Sequence, residues 1–496
     1  MGPGNRPPTG SAPGAHERRH LLDGAAWGLL GEGLALPTGL VTVVLLTRVL
    51  GASDYGLYTL TVGFVLLIQT GIGALLSRAT IKFISESEDP DAVSNTALRL
   101  HVLVGAALAV AVAATAPALA SVLGEESLVT FLRLFALSLP IQAAADAHVH
   151  VLVGRGKYRR RALARAAYWV ARPILVVGPV LAGYGVPGAL AGAIAAPVAG
   201  LVVARRVVRP RLAGPAVPMA PLLGFAAPLL VSGIAADLSR RLDLFALKAL
   251  GSSAAEAGLY ASAQNLAWIP AMLAGAFSPL LLSSMTRAMA EQRPDRARQL
   301  AVDFLRGPLW ILPLAGATAG AATQIVRFTY GAEYEAAGAY LALLIFAGVS
   351  VTLSAAAGVT LVVRNRLRIH VIGAILPLLV SCGAFAFLIP RFGGVGAAAS
   401  TLMGVMAGAG YRLFAVHRLW EVTLPWPTVL RVMVLVPPAW WAGGWGPTQG
   451  VALVLKLTLI SCGVVGALMV LGEFSREELQ GARRALAARL SRRGTG

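Results

Sequence analysis

The sequence predicts an all-α polytopic membrane protein of about 14 transmembrane helices, built as two parallel-related six-helix lobes plus a C-terminal helix pair, with both termini cytoplasmic. Composition is the first reason. Of 496 residues, 57% are hydrophobic and 13% charged, and the mean hydropathy is +0.72, which leaves too little polar surface to coat a soluble globule. Segment length is the second. Apolar runs of about twenty residues recur along nearly the whole chain, each long enough to cross roughly 30 Å of hydrocarbon as a helix. They are too long, and alternate too little, to be strands of a barrel. The third is the placement of cations. One set of loops holds Arg18 and Arg19, Arg78 and Lys82, Arg155 to Arg161, Arg205 to Arg211, Arg287 to Arg298, Arg364 to Arg368, Arg412 and Arg418, and the tail from Arg476. The intervening loops hold little beyond Arg48, Lys248, Arg327 and Arg391. An excess of Lys and Arg marks cytoplasmic loops, so the richer set is inside. The net charge of +19 therefore points to an anionic membrane leaflet and not to nucleic acid.

Taken in order, residues 1–23 are rich in Gly, Pro and Arg without an apolar core and read as a disordered cytoplasmic tail. Spans follow at 24–49, 55–77, 97–123, 128–153, 162–183 and 186–206, then at 221–250, 256–285, 299–329, 336–363, 369–390 and 394–418, and finally at 426–445 and 450–472. An even number of spans is what two inside termini require. Several spans contain proline (Pro37, Pro140, Pro173, Pro228, Pro270, Pro313, Pro377), which kinks a helix and frees carbonyls. Cys382 and Cys462 both lie in apolar segments and support neither a disulfide nor a zinc site.

The chain repeats itself. Arg48, Leu50, Gly51, Gly56, Leu57 and Tyr58 return as Lys248, Leu250, Gly251, Gly258, Leu259 and Tyr260. Gly124 and Glu126 answer to Gly331 and Glu333, Arg155 to Arg364, and Gly185 and Val186 to Gly394 and Val395. Landmarks in one order at a slowly drifting offset define two lobes, 24–206 and 221–418, joined by a cytoplasmic linker, 207–220. Each lobe has six helices, so the halves run parallel. Spans 13 and 14, within 419–472, are an added pair, and residues 473–496 form a basic cytoplasmic tail.

Arg48, Leu50, Gly51, Tyr55 and Gly56, followed by a long apolar segment to Arg78, resemble the opening of bacterial polysaccharide exporters of the oligosaccharide flippase type. So do Asp243 ahead of Gly258 and Tyr260, and the turn at Tyr330, Gly331, Glu333 and Tyr334. That family lies in the multidrug/oligosaccharidyl-lipid/polysaccharide (MOP) exporter superfamily, with multidrug and toxin extrusion transporters and the lipid II flippase. The resemblance implies alternating access by two six-helix lobes, carrying a polyprenyl-diphosphate-linked oligosaccharide across the inner membrane for cell-surface polysaccharide biosynthesis. Glycan polymerases and glycosyltransferases are then candidate partners.

Motifs for other chemistry are weak. Gly183, Gly185 and Gly188 fit G-x-G-x-x-G but fall between two spans with no preceding strand, which makes them a hairpin loop. Gly154, Gly156 and Lys157 lack the first glycine of a P-loop, so no ATP site is visible and no cofactor is expected. Asp146, His148 and His150 look like metal ligands, yet the two histidines are two residues apart on a helix and point away from each other. They read as a polar patch at the cytoplasmic end of span 4, with no metal.

Charges at bilayer depth are the informative residues, since each costs roughly 2.5 to 3.5 kcal/mol to insert unpaired. Arg172 is the deepest cation, on one face with Tyr168 and Arg165 and beside Pro173. Asp237 with Arg241 and Arg240 with Asp243 sit at helical pairing distance in span 7, while Arg240, Arg241 and Lys248 face two carboxylates. A guanidinium fork suits phosphate, so Arg172, Arg240 and Arg241 are the candidate substrate-binding cations. Glu32, the lone acid of span 1, is either a coupling carboxylate or a counter-ion to an arginine across the cleft between the lobes. Asp237, Asp243 and Asp146 are the other candidate coupling or ion-pair acids. Arg133, Arg306 and Lys456 lie near span ends, where snorkelling is expected. The tail opens on a capping box, Ser475 with Glu478, and places Leu479, Ala482, Leu486 and Leu490 on one side among arginines, which reads either as an interfacial helix or as a frayed basic tail.

Four functions are compatible with these residues. A lipid-linked oligosaccharide flippase suits arginines at depth. A cation- or proton-coupled multidrug antiporter would use Glu32 or Asp237 and wants acids in its cavity, and a lipid II flippase is the related alternative. A membrane scaffold for glycan-synthesis enzymes would make the intramembrane charges dispensable.

Overall fold

The computed structural model describes residues 27, 31–220, 222, 238, 241–364, 366–421, 426–446 and 448–474, with residues 71, 72, 74, 75, 273–277, 279, 280, 367 and 370 described in backbone alone. The amino-terminal tail, Asp237, Arg240, Pro228 and the carboxy-terminal basic tail lie outside the described residues.

The described residues form helices α1 (Ala35–Glu86), α2 (Pro90–Leu123), α3 (Ser127–Ala136), α4 (Ser138–Gly154), α5 (Tyr158–Pro179), α6 (Gly185–Arg205), α7 (Leu242–Ala249), α8 (Ala254–Ala267), α9 (Ile269–Ala290), α10 (Pro294–Gly320), α11 (Ala322–Tyr330), α12 (Ala337–Val363), α13 (Leu367–Trp420), α14 (Trp426–Gly444) and α15 (Val451–Val470). Among them, eight helical stretches are long and apolar enough to cross a membrane. Three of these, Gly31–Thr70, Tyr158–Arg205 and Val371–Trp420, run 40, 48 and 50 residues, and each holds most or all of two of the predicted spans.

Glycine, not proline, makes the breaks. The backbone leaves the helical region inside α1 at Gly51 (φ 74°) and inside α13 at Gly393 (φ 52°). Between α5 and α6 a π-helical turn, Val180–Tyr184, breaks at Gly183 (φ 90°). Left-handed backbone costs a residue with a Cβ but not glycine. Each break in α1 and α13 exposes a helix N-terminus, and a carboxylate caps it. Glu333 Oε1 accepts from Ala52 N at 2.7 Å, and Glu256 Oε1 accepts from Gly394 N at 2.5 Å. Pro173, Pro313 and Pro377 lie inside helices, away from these glycine breaks.

Two compact units divide the chain. The first comprises Met1–Leu46, Thr61–Ser121 and Glu125–Ile234, and the second Thr47–Leu60, Val122–Gly124 and Ala235–Gly496. The tip of the first hairpin, residues 47–60, thus belongs with the second unit, whereas the repeat alone assigns it to the first lobe. In the first unit, Ile84, Val151, Leu152, Ala164 and Val208 share a buried cluster. The segment after α6 is strapped to α2, where Asn95 Nδ2 donates to Pro215 O at 2.9 Å and Thr96 Oγ1 to Val217 O at 3.0 Å. In the second unit a buried cluster joins α9, α10, α12 and α13 through Met285, Leu305, Leu361 and Trp420.

Candidate functional site

The site begins with a close helix crossing. A Cβ on Gly31 would lie 3.0 Å from Ala162 Cα, so only glycine opposite a small residue lets the start of the first span approach α5 this closely. That approach brings Glu32 onto a stripe of α5. Arg161, Arg165, Tyr168, Trp169 and Arg172 recur at intervals of three and four residues and so share one helix face. Arg165 Nε and Nη2 donate to the two carboxylate oxygens of Glu32 at 3.0 and 3.1 Å, the parallel fork of a bidentate pair. Arg161 Nη2 adds a contact at 3.2 Å and Trp169 Nε1 one at 3.4 Å. The arginines also stack: Arg165 lies over the rings of Tyr168 and Trp169, and Arg172 over Trp169, with guanidinium-to-centroid distances of 5.4, 5.5 and 5.6 Å. The Glu32 side chain keeps 41% of its surface exposed, so the cluster is open on one side.

The sequence places Arg165, Tyr168 and Arg172 on one face and singles out Glu32, as either a coupling carboxylate or a counter-ion to an arginine across a cleft. Its partners are arginines of α5, within the same unit. The reach of the Gly31 crossing, invisible in a one-dimensional pattern, decides this. Trp169 and Arg161 were not named as site residues. Their signal was present in the spacing, since both lie four residues from Arg165.

On α4, Asp146 lies within electrostatic reach of Arg165 and Glu32, and His150 within reach of Arg161 and Arg165. Asp146 accepts from Gln142 Nε2 at 2.9 Å within α4. His148 bonds the Ala144 carbonyl, and His150 meets His101 on α2 at 3.4 Å. In the second unit the backbone at Arg241 (φ −128°, ψ −13°) is not helical, and α7 starts after it. The pairings expected between Asp237 and Arg241 and between Arg240 and Asp243 each involve a residue outside the described ones. Asp243, 2% exposed, is enclosed differently: Tyr260 Oη and Gln264 Nε2 donate to Oδ2 at 2.8 Å each, Thr401 Oγ1 at 3.2 Å, and Leu244 N to Oδ1 at 2.8 Å. Neutral donors from three helices therefore tie this acid into the packing. Asp243→Ala strips the partner from all four and should cost about 2 kcal/mol or more, read as a lower melting temperature in detergent, whereas Asp243→Asn, which keeps one acceptor oxygen, should lose less. Lys248 Nζ donates to the Ser252 carbonyl at 3.1 Å, closing the end of α7.

Two of the cations near span ends have named partners. Arg306 donates to Glu473 Oε1 at 2.8 Å, and Arg431 to Oε2 at 2.9 Å, while Thr428 Oγ1 and Trp310 Nε1 complete the shell at 2.6 and 3.2 Å. Lys456 Nζ reaches Gln324 Oε1 and Gly443 O, both at 2.8 Å. Glu473 was not predicted at all, because it lies one residue beyond the last apolar run.

Known structures with a similar fold include the lipid II flippase MurJ in an inward closed conformation, with a TM-score of 0.76 at 15% identity, covering 92% of this chain and 99% of that one. An inward-facing multidrug resistance MATE family transporter of the MOP superfamily follows at 0.62 and 17% identity, covering 81% and 95%. A MOP superfamily transporter from Pyrococcus furiosus, described as having a binding pocket of reverse polarity, matches at 0.57 and 16%, covering 84% and 96%. At such identities the likeness shows the fold. No curated protein matches the chain in sequence. Residues 45–339, more than half the length, match the model of the family described as polysaccharide biosynthesis protein, and the chain, a multi-pass membrane protein, belongs to that family.

Proposed function

We propose that the protein is a flippase that moves a polyprenyl-diphosphate-linked oligosaccharide across the bacterial cytoplasmic membrane by alternating access, supplying cell-surface polysaccharide synthesis. The observation that carries this reading is the α5 stripe, where three arginines share one face with two aromatic rings inside a membrane helix. Guanidinium forks suit diphosphate oxygens, and aromatic faces suit sugar rings and hold the forks in place. Membership in a polysaccharide biosynthesis family supports the glycan as cargo. An antiporter for cationic drugs wants the opposite polarity on such a face.

The same reading takes 14 spans with both termini inside, supported by the alternation of basic loops, and lobes at 24–206 and 221–418. Anionic lipids bind the cytoplasmic loops, and glycan polymerases or glycosyltransferases act beside it. Arg241, half-buried ahead of α7, is a further substrate-binding candidate.

Arg172→Ala removes one fork and its stacking on Trp169. Glycan export in cells carrying it should fall at least about tenfold while the folded protein accumulates normally. Wild-type export by this variant would reject the assignment of Arg172.

A further inference from the structure

The donor set around Glu32 is built for an anion larger than the one it holds. A fork from Arg165 meets both carboxylate oxygens, a second guanidinium comes from Arg161 one turn away, and an indole N–H from Trp169 lies on the other side, at 3.0 to 3.4 Å. A carboxylate offers two oxygens and one negative charge to these four donors. A diphosphate offers more terminal oxygens and more charge, and each phosphoryl group can take a guanidinium fork of its own. Access is present, because the Glu32 side chain is 41% exposed while the arginines behind it are 23% and 29% exposed. The donors are also held in place without the acid, since Arg165 stacks on Tyr168 and Trp169, and those rings contact each other at 4.8 Å. The receptor is therefore preformed on α5, and the acid that fills it comes from another span.

We propose that Arg161, Arg165 and Trp169 form a diphosphate subsite and that Glu32 is its internal occupant, displaced when the diphosphate of the cargo binds. The assignment rests on the flippase reading. Glu32 then acts as a selectivity plug. Weaker anions, such as single carboxylates, fail to displace a carboxylate tethered in place, while a diphosphate succeeds by its extra charge and oxygens. When the cargo leaves, Glu32 returns, so the arginines are never left as bare cations in the membrane.

Two measurements on the full-length protein in lipid nanodiscs test this, with inorganic pyrophosphate and farnesyl diphosphate as probes. Glu32→Gln keeps the shape but removes the competing charge, so both probes should bind about tenfold tighter than to wild type, and adding Arg165→Gln should abolish the gain. In unmodified protein, pyrophosphate should raise carbodiimide labelling of Glu32, read by peptide mass spectrometry, because displacement frees the carboxylate. Unchanged or weaker binding by Glu32→Gln, or unchanged or reduced labelling of Glu32, overturns the plug. In that event, wild-type probe binding that is lost in Arg172→Ala leaves the flippase reading standing, and an absence of any probe binding removes both. Tighter binding of farnesyl diphosphate than of pyrophosphate identifies a lipid headgroup as the natural source, and equal binding overturns that identification.

Discussion

Gly258→Val should destabilise the protein by at least about 3 kcal/mol, because it forces atoms into a backbone contact that no side chain can relieve. A Cβ at position 258 would lie 2.0 Å from Ala52 O and 2.9 Å from Gly56 N. The reverse contact is nearly a mirror of it, with a Cβ at position 56 falling 1.9 Å from Ala254 O and 3.0 Å from Gly258 N. Ala52 and Gly56, and Ala254 and Gly258, are each a small pair four residues apart, the pattern that lets membrane helices touch backbone to backbone. The two copies of the repeated hairpin thus lock into each other inside the second unit. Tyr55 extends the contact, with its hydroxyl accepting from Asn265 Nδ2 at 3.0 Å. Thermal unfolding in detergent checks the prediction, with Gly39→Val as the control because nothing lies within 4 Å of a Cβ there. A melting temperature for Gly258→Val equal to that of the control would show that the interlock yields without cost.

Glu473→Ala should cost about 3 to 5 kcal/mol, since it leaves two partly buried arginines facing each other without their carboxylate. The acid is 3% exposed and joins α10, through Arg306 and Trp310, to α14, through Thr428 and Arg431. It anchors the segment after α15, and so holds the last two helices to the rest of the second unit. Burial by itself raises this carboxyl's pKa, but hydrogen bonds from Thr428, Arg306, Arg431 and Trp310 outweigh it and hold the group at about 2, below its ordinary 4.5. A group depressed on folding contributes its stability above the unfolded pKa and loses it as the pH falls through the folded one. The stability difference between wild type and Glu473→Gln should therefore be complete above about pH 4.5 and shrink as pH falls toward about 2. A difference that stays constant across that window would mean that the charge of Glu473 does not hold the cluster.

Both effects arise at residues that the sequence marked unequally. Gly56 and Gly258 stood out as corresponding members of a repeat, yet as turn architecture, and not as surfaces that meet. Nothing in a linear pattern says that two copies of a motif touch. Glu473 carried almost no signal, since one acid after the final apolar run looks like an ordinary interfacial charge. Arg306, near a span end, looks like a snorkelling cation for the same reason.

By itself the sequence determined the membrane class, the helical content and the face of α5 that carries Arg165, Tyr168 and Arg172. Hydropathy, loop charge and a spacing of three to four residues are properties of the chain alone, and the bilayer reads them locally. Tertiary structure decided the partners. Glu32 meets Arg161 and Arg165 because Gly31 lets two spans approach; Asp243 meets Tyr260, Gln264 and Thr401 because α7 packs against α8 and α13; and Glu473 meets Arg306 and Arg431 because α15 returns to α10. An isolated charge in lipid must find a counterpart, but which one it finds depends on how closely distant helices can pack.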